Sequence, residues 1–312
     1  MTFEHYLTGY LEYLAAKGYA QGTLRWRKTY LRQLFTYLDQ QRITTFQNVT
    51  GDHIDNYRVY LKTEHRTVRG TLLAGSSFSS HLQAITDFFL WLEKTRQILI
   101  TPVIKPLWSK TPKPLKLPHV LTEEEAVKII EASPLNTPYG LRDRAILEVL
   151  YSTGIRRMEL INLNMEDFFL KRQELFIKQG KGKKDRLVPV GEYAVKFTEA
   201  YLKLVRPWLV EALDEKALFL TMNGQRLAPQ TLRVIISKAV KKSGVTKRVT
   251  PHTFRHSMAT HMLRNGADIR HIQAILGHAS VQSTEIYTHL TIKDLKKATK
   301  KAHPYANRRN LR

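Results

Sequence analysis

Residues 168–190 read FFLKRQELFIKQGKGKKDRLVPV, and this stretch decides the fold class. Phe168 to Ile177 and Arg186 to Val190 are strand-like runs, and the polar segment Gly180-Lys181-Gly182-Lys183-Lys184-Asp185 joins them as a turn. The spacing predicts a small β-hairpin or meander with a lysine at its tip. On both sides of it the pattern is helical. Upstream, Thr122 is an N-cap with Glu125 three residues later, a capping box opening the helix at Glu123. A second helix over Tyr139–Ser152 buries Leu141, Ala145, Ile146, Val149 and Leu150 and stops at Thr153-Gly154. Arg156 follows at once, ahead of a helix carrying Glu159, Leu160 and Leu163. Downstream, helices are expected over Glu192–Lys203, Pro229–Lys242, Thr253–Asn265, Asp268–Leu276, Val281–Thr288 and Ile292–Ala302. Residues 120–312 are therefore expected to form one mixed α+β domain.

Residues 1–103 read as all helix. The first helix runs from Thr2 to Ala16, with Gly18 as the residue past its end. The second begins near Thr23 and carries a stripe of Leu24, Leu31, Leu34, Phe35 and Leu38, with Arg25, Lys28 and Arg32 on another face. The third starts at Thr50-Gly51-Asp52. The fourth buries Phe78, Leu82, Ile85, Phe89 and Leu92. Ser79 and His81 are placed in its first turn, where hydroxyls and free N–H groups suit a DNA phosphate. Residues 104–119, IKPLWSKTPKPLKLPH, hold four prolines and four lysines and read as an extended basic strap. The expected fold class is mainly α with a small antiparallel β-sheet in the C-terminal domain. A helical N-terminal domain (1–103), a linker (104–119) and a mixed α+β domain (120–312) would together clamp DNA.

Composition points the same way. Fifty Lys+Arg against 27 Asp+Glu leave the 312-residue chain at a net +23, which favours a polyanionic partner, nucleic acid first among them. There is no cysteine, which excludes disulfides, thiolate zinc sites and cysteine catalysis. No apolar run is long enough to span a bilayer, and the expected location is cytoplasmic, with the nucleoid.

Six polar residues of the C-terminal half can work on one phosphodiester: Arg156, Lys181, His252, Arg255, His278 and Tyr287. Arginine grips phosphate oxygens bidentately and stays charged. A lysine on a turn can protonate a leaving oxygen, histidines can donate or shuttle protons, and a tyrosine can attack phosphorus. A tyrosine hydroxyl has a pKa near about 10, so Tyr287 would need those cations to form its phenolate. His252 and His256 stand at i, i+4, but Thr253 occupies the position where a zincin helix has glutamate, and no metal or other cofactor is expected.

The segments TGIRRMELINL, QGKGKKDRLVPVG, PHTFRHSMATHML and ILGHASVQSTEIYTH, taken together and in this order, resemble the tyrosine recombinase (phage integrase) family, and most of all its compact Xer-type members. The resemblance covers nearly the whole chain. It implies that the six residues are catalytic, with Tyr287 as nucleophile. It also implies that the N-terminal part is a core-binding, SAM-like domain, and that a homotetramer acts on two DNA duplexes, alone or with a second recombinase or accessory protein. DLKKATKKAHPYA resembles the helix by which such proteins dock into a neighbouring subunit. Arg157-Met158 departs from the small or apolar pair usual after the first arginine. Arg157, like Lys183 and Lys184, is a candidate DNA contact. Nothing resembling an arm-binding domain precedes Met1, and no long insertion interrupts the catalytic half; these argue against the larger phage integrases and integron integrases. The expected function is site-specific recombination through a 3′-phosphotyrosyl intermediate, in dimer resolution or in integration and excision of a mobile element. The alternatives are a DNA-relaxing enzyme of the type IB topoisomerase kind and an inactive DNA-binding architectural protein.

Overall fold

In the N-terminal unit, apolar residues recurring at three and four positions bring four helices onto one core. The helices are α1 (Phe3–Ala16), α2 (Gln21–Gln40), α3 (Gly51–Thr63) and α4 (Gly75–Lys94). Leu7, Tyr10 and Leu14 of α1 meet Leu31, Leu34 and Leu38 of α2, Ile54, Tyr57 and Leu61 of α3, and Ile85, Phe88 and Phe89 of α4. Phe46, in a short turn before α3, packs its ring against Phe3, Tyr6, Phe35, Phe88 and Phe89. A polar tie crosses this unit: Arg27 donates to Asp87 Oδ2 at 2.6 Å and to the Tyr10 hydroxyl at 2.7 Å, joining α2 to α4 and α1. Gly18 takes φ +77°, the left-handed conformation that ends α1.

The computed structural model describes residues 3–68, 70–103, 120–178, 185–211, 215–277 and 291–304. The linker read as a strap, residues 104–119, lies outside them. The chain divides into two units, Met1–Lys116 and Leu117–Arg312. No helix among the described residues is long and apolar enough to cross a membrane.

The second unit is built around a buried helix. α5 (Glu123–Glu131) starts at the expected box, with Thr122 Oγ1 accepting from Glu125 N and Glu125 Oε2 accepting from Thr122 N. α6 (Pro138–Thr153) is buried nearly all round, as a central core helix must be, and packs against α5, α8 (Glu192–Leu204) and α11 (Pro251–Arg264). α7 (Arg157–Asn162) follows α6. Three strands, β1 (Phe168–Phe169), β2 (Glu174–Ile177) and β3 (Arg186–Pro189), form an antiparallel sheet in the order β1-β2-β3. Phe168 pairs with Leu175, Leu175 with Val188 and Ile177 with Arg186. The expected single strand over Phe168–Ile177 is thus two. Leu170–Arg172 form a tight turn and Gln173 takes φ +54°, because Lys171 and Arg172 face solvent and break the ladder.

α9 (Arg206–Leu209), α10 (Pro229–Ser243), α12 (Ile269–Leu276) and α13 (Ile292–Ala302) complete the unit. α13, the segment resembling a subunit-docking helix, here packs on its own unit, against β3, α11 and α12. Lys296 bonds Glu174 Oε1 and the Arg172 carbonyl, both at 2.6 Å, and His303 Nε2 donates to the buried Tyr151 carbonyl at 3.1 Å.

Candidate active site

Arg156 and Arg255 meet where three helix ends converge. α6 ends at Gly154, whose φ of +59° turns the chain out of the helix. A Cβ at this position would overlap Met258 Cε and press on Leu276 Cδ2 at 2.9 Å, so both the backbone angle and the space demand glycine. Arg156 then serves as N-cap of α7. Its N–H donates to Glu159 Oε2 at 2.8 Å, its Nη1 to Glu159 Oε1 at 2.8 Å, and its Nη2 to the Gly277 carbonyl at 2.9 Å. The side chain keeps 22% of its surface exposed, leaving part of the guanidinium open to a ligand.

Arg255 lies in α11, which starts at Pro251 behind the N-cap Thr250. Its Nη1 donates to the Gly154 carbonyl at 2.7 Å and its Nη2 to the Leu276 carbonyl at 2.8 Å. The residue is 6% exposed, so it satisfies the carbonyl ends of both α6 and α12. Burial, with Arg156 nearby, pushes the Arg255 guanidinium down to about 10, and it remains a cation at neutral pH.

Two residues whose roles sequence reasoning missed hold this arrangement. The Glu159 carboxylate is gripped by Arg156 and, bidentately, by Arg186: Nη2 to Oε2 at 2.7 Å and Nη1 to Oε1 at 3.1 Å. Burial works to raise the Glu159 pKa, but Arg186 and Arg156 outweigh it and bring it down to about 2. Arg186 Nε also donates to the Ile275 carbonyl at 3.1 Å. The local signal for Glu159 was its position three residues after a helix N-cap. The signal for Arg186 was an arginine opening an otherwise apolar strand.

His252, the second residue of α11, is exposed and lines an open cavity of about 500 Å³ together with Arg157, Arg233, Lys247 and Arg248. Partial desolvation, His256 and the guanidiniums of Arg255, Arg157 and Arg156 all push the His252 pKa down, favouring the neutral ring. Among the described residues the cavity wall carries cations and no carboxylate, though Lys247 is paired with Glu125 beyond it at 2.6 Å; the wall suits an anion. Lys181, His278, Tyr287, Lys183 and Lys184 lie outside the described residues. Gly277, the residue before His278, belongs to the site through the Arg156 bond.

On the N-terminal unit, Arg25 and Lys28 are exposed on α2, and Arg32 is exposed but paired with Glu4 Oε1 at 2.7 Å. α4 starts at Gly75 itself, so Ser79 and His81 fall in its second turn rather than at a free helix start. The Ser79 hydroxyl donates to the Gly75 carbonyl at 2.9 Å and remains part of an open groove with Trp26 and Tyr30. The expected DNA contact by His81 is corrected. Its side chain is fully buried, stacked on Tyr30, with Nε2 3.1 Å from both the Tyr30 carbonyl and the Tyr57 hydroxyl. The carbonyl requires the proton on Nε2, and burial lowers the ring's pKa to about 4.

Known proteins match this chain along nearly all of its length. Residues 119–293 match the model of the phage integrase family, and residues 7–96 match that of the phage integrase N-terminal SAM-like domain. The chain is 37% identical over 304 residues to tyrosine recombinase XerC 2 of Ralstonia nicotianae, covering 97% of this chain and 87% of that protein. It is 36% identical over 297 residues to tyrosine recombinase XerD of Listeria innocua, covering 94% and 96%. Its fold is similar to that of the XerH site-specific recombinase in a post-cleavage complex with palindromic difH substrate, with a TM-score of 0.68 at 22% identity, over 89% of this chain and 79% of that one. With a family match across more than half of its length and relatives of this identity along nearly all of it, the chain belongs to the phage integrase family, the tyrosine recombinases.

Proposed function

We propose that this protein is a Xer-type site-specific recombinase that cleaves and rejoins duplex DNA, with Tyr287 as nucleophile. The observation that carries the reading is the meeting of Arg156 and Arg255 at the ends of α6 and α12, beside Gly277 and the basic cavity of His252. The Tyr287 oxygen attacks the phosphorus, the bond from phosphorus to the 5′-oxygen breaks, and a 3′-phosphotyrosyl link remains on the enzyme. Arg156, Arg255 and His278 hold the charge that builds on the non-bridging oxygens. Lys181 protonates the departing 5′-oxygen and His252 assists proton transfer. A 5′-hydroxyl from a second duplex then attacks the phosphotyrosine and releases Tyr287. The phosphoester count is conserved, so rejoining needs no ATP.

Both units would bind the duplex, the N-terminal one through the α2 face with Arg25 and Lys28. Four copies would act on two sites, in the cytoplasm. Relatives named tyrosine recombinase XerC and XerD support the Xer-type reading. The test uses duplexes selected for binding from a randomised pool, nicked so that cleavage traps the enzyme, in EDTA. A covalent protein–DNA adduct is expected for the wild type and absent for Tyr287→Phe. An adduct formed equally by wild type and Tyr287→Phe would overturn the reading of Tyr287 as nucleophile.

A further inference from the structure

We propose that Arg186 is a positioning residue for strand transfer, holding together the segments that lead into three parts of the active site. It opens β3, five residues after Lys181 in the sequence. Its Nη groups grip Glu159, which in turn orients Arg156. Its Nε holds the Ile275 carbonyl in the last turn of α12, two residues before the Gly277 carbonyl that Arg156 takes. The Arg186 side chain also covers Gly277: a Cβ built there would lie 3.0 Å from both Arg186 Cζ and Nε. Only 12% of the side chain is exposed, so Arg186 works from behind the site rather than at its mouth.

The arrangement has an electrostatic consequence. Glu159 is a single negative charge shared by two guanidiniums. With Arg186 taking both carboxylate oxygens, Glu159 orients Arg156 without neutralising it, and Arg156 keeps net positive charge for a phosphate. Without Arg186, Glu159 would be compensated by Arg156 alone, and the 275–277 carbonyls would lose one of their three cationic ties. A buried carboxylate that loses one of its two cationic partners is also driven towards protonation.

This inference rests on the proposed role of Arg156 at the reacting phosphate, and the experiment separates the two. Single-turnover cleavage of the nicked, selected duplex is measured for wild type, Arg156→Ala, Arg186→Ala and Arg186→Lys, with DNA affinity and melting temperature for each. Arg186→Ala is expected to cleave roughly 10–100-fold more slowly with DNA affinity within about threefold. Arg186→Lys should recover part of the rate. Glu159 in Arg186→Ala should titrate near an ordinary carboxyl, so the variant's rate should show a further drop below about pH 5 that the wild type lacks. If Arg156→Ala is inactive while Arg186→Ala cleaves at the wild-type rate, the positioning role is wrong and the function stands. If Arg156→Ala cleaves normally, the reading of the site itself fails. Should Arg186→Ala not fold, Arg186→Lys carries the test, and a wild-type rate and pH profile in it would overturn the proposal. A rate loss that merely follows lost DNA binding, with the pH profile unmoved, overturns it as well.

Discussion

Arg255 donates to the carbonyl of Gly154, 101 residues earlier in the chain, at 2.7 Å, and so a candidate phosphate ligand is also the group that closes the end of the central helix. Its second nitrogen does the same for α12 through Leu276. A lysine cannot make both bonds from one planar fork. Arg255→Lys is therefore expected to lower DNA cleavage by about 10²–10³ and to cost about 1–3 kcal/mol of stability through an unsatisfied buried carbonyl. Single-turnover cleavage and urea denaturation of the same preparation check both effects. A variant that loses activity with full stability would show that the carbonyl bonds are dispensable.

Gly154 itself should be intolerant of any side chain. Alanine there must adopt φ near +59° and share space with Met258 and Leu276, contacts on both sides of the site. Overpacking and left-handed strain together put Gly154→Ala about 2–4 kcal/mol below wild type. The denaturation transition of the C-terminal unit should shift accordingly, while that of the N-terminal unit stays in place.

These two residues also mark what the sequence made legible. Gly154 and Arg156 could be found because a helix stop and a new helix start are local events, visible as Thr153-Gly154 followed by a polar cap. The capping box at Thr122 and Glu125 was legible for the same reason. The targets of Arg255, the shared Glu159 carboxylate and the grip of Arg186 on α12 were not, because they join residues dozens of positions apart. The strand break at Gln173 was missed since apolar residues flank it on both sides; the solvated Lys171-Arg172 pair decided the outcome. His81 was misread because Gly75-Ser76-Ser77 looked like a segment before a helix. The helix begins at Gly75, and His81 then falls on the inward row with Ile85, Phe88 and Leu92.

That burial gives His81 a pH signature. Its folded pKa of about 4 lies below the ordinary histidine value near 6.5, so the unfolded chain binds the extra proton first. The stability tied to His81 is present above about pH 6.5 and is lost as pH falls towards 4, an effect of up to about 3 kcal/mol. His303, buried against Tyr151 and also lowered to about 4, adds the same dependence in the other unit. His81→Gln keeps a donor for the Tyr30 carbonyl but cannot titrate. Stability of its N-terminal unit should vary less between pH 6.5 and 4, and DNA affinity at pH 7 should stay within about twofold of wild type. A large loss of affinity would restore His81 as a DNA contact.

The exposed cations should differ in worth according to whether a carboxylate already occupies them. Arg157 and Arg248 face the cavity of His252, whose wall has no acidic side chain among the described residues, whereas Arg32 is held by Glu4 through two bonds of 2.7 and 3.2 Å. A cation that neutralises a DNA phosphate releases a condensed counterion, so each one lost lowers the slope of log affinity against log salt by about 0.9. Arg157→Ala and Arg248→Ala are each expected to reduce that slope by about one unit and to weaken binding alike on all sequences. Arg32→Ala should change it much less, since Arg32 must leave Glu4 before it can reach a phosphate. Glu4→Ala should free Arg32 and steepen the dependence. Fluorescence titrations of one duplex across a series of salt concentrations separate these cases. Equal slopes for Arg32→Ala and Arg157→Ala would mean that Arg32 leaves Glu4 and neutralises a phosphate in the complex.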